Sequence, residues 1–310
     1  MRLKLLILLL FSIRCAADEF VDLLKKVYQI NINSLMIFTS QDMLSSGRYE
    51  FGDDVMHITN FPFIYHFKPY NRYFNFYVNG SAGYSKKDHP VDLNKVFGVE
   101  GLPDDYVKYD TYALKIGGGI HVTAGWDIEM LFGASIIYTH IKNRYDYNSP
   151  ESETVLKPIF DNAFANQHND NFSYELFMQY GYFPNFHDWR PFVLLEYHYF
   201  DTKSDFSIES LGNYKTQSST AKLKAGVRTP DFATIYNVPL GAGMYTEGNA
   251  LRGDLDTILG FSSYGAIGLS IYVGTKFYTD LIDEFSIEYS EIDGDGISGH
   301  NIGVGFDFAF

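Results

Sequence analysis

Apolar and polar residues alternate with a period of two along most of this chain. From Trp126 to His140, Trp126, Ile128, Met130, Phe132, Ala134, Ile136 and Tyr138 share one parity, against Asp127, Glu129, Gly133, Ser135 and Thr139 on the other. Side chains alternate faces in a strand, so this is a strand with one apolar and one polar face. The pattern returns at Phe172 to Tyr182, at Thr111 to Val122, and at the C-terminus, where Ile302, Val304, Phe306, Phe308 and Phe310 alternate with Asn301, Gly303, Gly305, Asp307 and Ala309.

Read in this way, the sequence predicts strands at 33–43, 55–67, 72–85, 110–122, 126–140, 172–182, 190–201, 217–228, 232–245, 266–277, 285–292 and 299–310. The expected count is about twelve, with ten or fourteen open. Pro62 and Pro239 fall inside strands, where each implies a bulge or a displaced boundary. Leu255 to Ser263 could be a strand of its own. Links such as 68–71, 123–125, 183–189, 229–231 and 278–283 are short, and those between them, such as 86–109 and 141–171, are mostly long. Short links on one side and long ones on the other predict an all-β fold: a transmembrane antiparallel up-and-down β-barrel with an apolar face to lipid and a polar face to a lumen. A soluble sandwich also alternates, but seldom sorts its loops so consistently.

Composition fits that fold. Aromatic residues make up 17% of the 310-residue chain, while charged residues hold 20% and mean hydropathy is −0.13. A disordered chain would lack the aromatics, and a helical membrane protein needs apolar runs of roughly 20 residues. The formal charge of −14 argues against nucleic-acid binding.

The N-terminus reads as an export signal over 1–17. Arg2 and Lys4 precede the apolar run Leu5 to Ile13, and Cys15-Ala16-Ala17 stands before Asp18. A lipoprotein signal using Cys15 is the alternative, with Arg14 in place of the usual small residue. Cleavage after Ala17 removes Arg2, Lys4, Arg14 and the sole cysteine, and takes the charge from −14 to −17. Disulfides and thiolate sites are then excluded. Residues 18–32 are expected to be a periplasmic or lumenal helical segment. Phe20, Leu23, Leu24 and Val27 follow helical spacing, with Asp18 and Glu19 ahead of Lys25 and Lys26. The barrel is expected over 33–310.

The signal, the alternating strands and the closing GVGFDFAF resemble a Gram-negative outer-membrane protein. Phe306, Phe308 and Phe310 match the terminal aromatic pattern that, the resemblance implies, is read by the barrel-assembly machinery. Twelve strands behind a short helix are similar to the translocator barrel of autotransporters, here solitary and with no room for a passenger. The resemblance implies Sec-type export to the outer membrane. It also implies contact with outer-membrane lipid and lipopolysaccharide, with no nucleic acid, cofactor or metal.

On the polar parity, registering hairpins about their loop centres sets Glu175 opposite His198 and Glu196 opposite Lys222, with Lys115, Glu129, Lys224, Arg228 and Glu288 also inward. These candidate lumen-lining residues form either a charged constriction for a small solute, porin-like, or mutually neutralising pairs that fill the lumen. The main expectation is a non-enzymatic, translocator-like barrel, with a small-solute channel second and a surface protease or lipase third. No histidine has a serine two positions away in a lipid-facing strand; His140 and Asp201 are the pair that could lie near the extracellular mouth. Asp293-Gly294-Asp295-Gly296 reads as a hairpin tip, Arg252-Gly253-Asp254 as an exposed loop, and Gly117-Gly118-Gly119 as a place for strand curvature or close packing.

Overall fold

The computed structural model describes residues 28–32, 43–52, 54–68, 70–71, 73–93, 101, 103–125, 127–161, 165–206, 213–236, 238–274 and 282–308. The signal segment, the candidate helix before residue 28, Trp126 and Phe310 lie outside them. Residues 28–32 form one helical turn, α1.

Among the described residues thirteen strands follow: β1 (Leu44–Phe51), β2 (Asp54–His66), β3 (Phe74–Val91), β4 (Asp105–Ala124), β5 (Ile128–Asp146), β6 (His168–Tyr182), β7 (Arg190–Phe206), β8 (Lys215–Arg228), β9 (Ala233–Ile235), β10 (Val238–Gly253), β11 (Ser263–Gly274), β12 (Ile282–Gly294) and β13 (Ile297–Phe308). A π-helical turn at Ser152–Leu156 continues into α2 (Lys157–Phe160) between β5 and β6, and α3 (Asp254–Leu259) joins β10 to β11. Consecutive long strands pair antiparallel, and β1 pairs with β13 from Leu44↔Val304 to Glu50↔Ser298. The sheet therefore closes into a twelve-strand barrel without open edges. β9 is the extra strand: it pairs with β10 on the edge that β8 occupies higher up, so it continues β8 past the interruption at 229–232.

The alternation predicted from sequence places apolar side chains outward. Leu114, Ile116 and Ile267 are each more than 60% exposed, an arrangement that water would penalise and lipid hydrocarbon favours. Connections at the end where β13 finishes, here the C-terminal end, span 67–73, 125–127, 183–189, 229–237 and 275–281; those at the opposite, loop end span 52–53, 92–104, 147–167, 207–214, 254–262 and 295–296. The two longest are at the loop end as expected, but so are the two tightest, and the sorting by length is weaker than the sequence reading held.

Some boundaries differ from expectation. The first described strand is Leu44–Phe51, a segment not expected as a strand, while the strand expected at 33–43 lies outside the described residues except Met43. Leu255 to Leu259 belongs to helix α3, which buries Leu255 and Ile258 on one face, so it is no strand. Pro62 sits in a regular ladder with no bulge: β2 pairs with β1 only as far as Asn60↔Ser45, so Pro62 faces β3 alone, across from Ser81. Pro239 reflects a displaced boundary, since it lies in the β9–β10 hairpin opposite Thr234.

Candidate functional site

Inward positions of the strands build the lumen in layers. At the loop end, Lys87 Nζ lies 2.5 Å from Asp54 Oδ2, and His89 Nδ1 is 2.5 Å from Asp54 Oδ1. Lys87 stands between its ladder partners Met56 and Tyr109, which with Ile58, Ile137, Ile141 and Phe200 form an apolar layer. Helical turn α1 is part of this layer: Tyr28 and Ile32 are buried, and Tyr28 meets Tyr109 edge to face at 5.7 Å. Of the two placements expected for the 18–32 segment, residues 28–32 occupy the lumenal one.

A chain of charges lies beneath. Lys115 on β4 reaches across β5 to Glu175 Oε2 on β6 at 2.6 Å, and Glu175 Oε1 receives His198 Nδ1 of β7 at 2.8 Å. His198 Nε2 is 3.7 Å from Glu196, which also pairs with Lys222 of β8. Glu196 and Lys222 are directly opposed, as the sequence reading expects. Glu175 is not opposite His198: the ladder pairs it with Phe200 and pairs His198 with Phe177. The loop between β6 and β7 is not centred as a symmetric hairpin would be, but a shift of two residues keeps both groups on one face and within reach.

Packing fixes the chain in place. The His198 ring stacks between Phe177 (5.8 Å) and Phe200 (6.1 Å), and Lys115 Nζ sits over Phe177 at 5.7 Å. Gly133 allows this approach: a Cβ there would come within 2.6 Å of Phe177 and 2.5 Å of the Tyr77 hydroxyl. In the run Gly117-Gly118-Gly119, a Cβ on Gly119 would meet the Phe132 carbonyl, so close packing of neighbouring strands is what these glycines permit.

Toward the C-terminal end the remaining candidates also find partners. Lys224 Nζ is 3.8 Å from Glu288 and lies 3.6 Å over the Tyr245 ring, while the Tyr245 hydroxyl donates to Glu288 at 2.5 Å. Arg228 donates to Glu284 at 2.5 Å and stacks on Tyr272. Glu129 lies 3.4 Å from His121 Nε2, whose ring stands 5.3 Å from His66. His66, His121, Tyr245, Tyr272 and Glu284 were not singled out from sequence, although each occupies an inward position and Glu284 shares parity with Glu288. Below the ionic chain a vestibule of about 710 Å³, lined by Arg190, Phe192, Lys224, Arg228, Glu284 and Glu288 among others, opens toward the C-terminal end.

At the opposite end, residues 147–161 fold against the start of β4. Asp105 accepts the Asn148 N–H at 2.6 Å and the Ser152 hydroxyl at 3.2 Å. Burial and a hydrogen bond to Asp161 raise the Tyr147 phenol above its ordinary value. Outside the barrel, His140 pairs with Asp170 at 2.7 Å, while Asp201 pairs with Lys215 at 3.0 Å, so His140 and Asp201 do not form a site together. No group of three or more His, Cys, Asp or Glu that could hold a metal exists among the described residues. Of the terminal aromatics, Phe306 faces outward and meets Phe285 edge to face at 5.4 Å. Phe308 ends β13 opposite Ile282.

Comparison with known proteins accords with this geometry. The profile of a family described as "Solitary outer membrane autotransporter beta-barrel domain" matches residues 38–308. The fold is similar to the β domain of the Bordetella autotransporter BrkA, with TM-score 0.56 and 11% identity, covering 86% of this chain and 96% of that one. It is also similar to the translocator domain of NalP from Neisseria meningitidis (TM-score 0.53, 14% identity, 95% and 100% covered). A third is the transport unit of AIDA-I from Escherichia coli (0.51, 10%, 86% and 88%). No curated protein matches the sequence.

Proposed function

The chain belongs to the family of solitary outer-membrane autotransporter β-barrel domains, and from that premise we propose that it is a non-enzymatic Gram-negative outer-membrane barrel whose lumen is held closed. The observation that carries this reading is the stack of two barriers in the lumen. The apolar layer around Tyr28, Tyr109 and Ile137 sits above the chain Lys115–Glu175–His198–Glu196–Lys222. A dry layer repels ions, and charges already matched to each other offer a passing ion no unoccupied partner. An open pore would instead need charges facing water along a continuous path.

Planar-bilayer recording on the refolded protein tests the reading. The expected result is a membrane with no stepwise conductance. Removal of the segment through Ile32 thins the apolar layer, and the combined change Lys115→Ala and Glu196→Ala breaks the ionic one. Conductance is expected only when both layers are weakened. Steady ion steps from the intact chain would overturn the closed-lumen reading in favour of a small-solute channel entered through the vestibule. Lipase and peptidase assays on the same folded protein test the non-enzymatic part, and turnover there would reject it.

A further inference from the structure

The vestibule continues into a smaller chamber inside the barrel, against the inner face of β7, β8 and β10–β13. The chamber holds about 190 Å³ and shares Met43, Leu194, Lys224 and Glu288 with the vestibule, so it is reached from the C-terminal end. Its charged lining is Glu196, Glu247 and Glu288 against Lys222 and Lys224. Four of these five groups are matched within the protein. Lys222 pairs with Glu196, and Glu288 accepts the Tyr245 hydroxyl at 2.5 Å and lies 3.8 Å from Lys224.

Glu247 is the exception. Its partner across the β8–β10 ladder is Lys224, but the Lys224 ammonium turns instead toward Glu288 and the Tyr245 ring. Among the described residues no Lys, Arg or His nitrogen comes within 4 Å of the Glu247 carboxylate, which accepts the Asn249 side-chain amide at 2.7 Å. A carboxylate inside a narrow lumen without a counter-charge is costly, and the chamber beside it has room for a mobile one.

We propose that this chamber binds a small organic cation with a primary ammonium head and a short alkyl body. The ammonium donates to Glu247, with Ser290 and Asn301 supplying neutral polar atoms, and the alkyl part lies against Leu194, Ala266 and Ile292. Size and chemistry select this class. The volume is below the roughly 300–1,000 Å³ of pockets for drug-sized ligands. A quaternary ammonium needs an open aromatic face, whereas the Tyr245 ring lies under Lys224 at 3.6 Å and packs on Gly268, where a Cβ would come within 2.2 Å of it. A divalent metal needs several oxygen ligands at once, and Glu196 and Glu288 are already engaged. The approach also favours a cation, because Asp127, Asp188, Asp231 and Glu284 stand at the mouth against Arg190 and Arg228. The inference goes beyond the closed-lumen reading: binding is measured in detergent and conductance in bilayers, so either can fail without the other.

Saturation-transfer NMR with propylamine on the refolded barrel in detergent, at neutral pH and against detergent alone, tests it. Heat-modifiable gel mobility confirms the fold of every sample. Propylamine is expected to bind, tetramethylammonium is not, and an equal concentration of potassium chloride should leave propylamine in place. Glu247→Gln should weaken binding at least about 10-fold. Gly303→Leu keeps the carboxylate and fills the chamber, since a Cβ at Gly303 meets nothing nearer than Met43 at 3.5 Å, and should abolish binding. Asp201→Asn, which removes an acid outside the barrel, should change nothing. Absence of propylamine binding, equal binding of tetramethylammonium, displacement by potassium, unchanged binding in Glu247→Gln or in Gly303→Leu, or a loss in Asp201→Asn as large as in Glu247→Gln would each overturn the proposal.

Discussion

Replacing Glu175 by Ala leaves the Lys115 ammonium and the His198 ring facing each other in a layer from which water is excluded. The removed carboxylate accepts from both at 2.6 and 2.8 Å, and breaking a buried pair by deleting one partner costs about 3–5 kcal/mol. Unfolding in urea from lipid vesicles, followed by tryptophan fluorescence, is expected to show a loss of that size. The double variant Lys115→Met, Glu175→Leu removes both charges and refills the space, so its loss should be under half that of Glu175→Ala. Equal losses would mean that the carboxylate matters for shape and not for charge. Sequence alone showed that these side chains share a face. It could not show which pair meets, because a two-residue change of register preserves the face and alters every partner.

Among the elements, β4, β5, β6 and β13 were legible because their outer faces are apolar over most of their length, and this gives alternation its contrast. β1 was not, for a physical reason visible in its residues. Its described part lies at the loop end, where Ser46, Arg48 and Glu50 face outward into the polar rim while Tyr49 and Phe51 face inward into the apolar layer. Its polarity is the reverse of the rest of the barrel, so it presents no outward apolar face for alternation to reveal. Helix α3 escaped notice because its six residues are too few to separate a period of two from one of 3.6. Its burial yields a test at this scale. Leu255 is fully enclosed under the loop-end cap, so Leu255→Ala should cost about 2–5 kcal/mol in the same unfolding assay. Thr257→Ala on the exposed face of the helix should cost under about 0.5 kcal/mol. Similar costs for the two would place α3 outside the cooperative core.

At the scale of the whole molecule, the reversal seen in β1 becomes a gradient along the barrel axis. Near the C-terminal end the outer wall is apolar and the lumen holds the charged vestibule; near the loop end the outer wall turns polar, and the lumen gains an apolar cluster around Tyr28 and Tyr109 beside the Lys87–Asp54 pair. The 17% aromatic content is therefore divided between two environments, lipid outside and the plug layer inside. On the closed-lumen proposal, the lumen is reached from one side only. Ser286 lines the vestibule, whereas Ser135 is buried level with Glu175, its ladder partner. Cys15 is the sole cysteine, so in a form without it each site can be probed by a single substitution. In vesicles with the loop end outward, a membrane-impermeant thiol reagent added outside should leave both Ser286→Cys and Ser135→Cys unmodified. The same reagent trapped inside should label Ser286→Cys rapidly and Ser135→Cys slowly or not at all. Labelling of Ser286→Cys from outside would require a continuous aqueous path past both the apolar layer and the ionic chain, and would show that the two barriers do not seal the barrel.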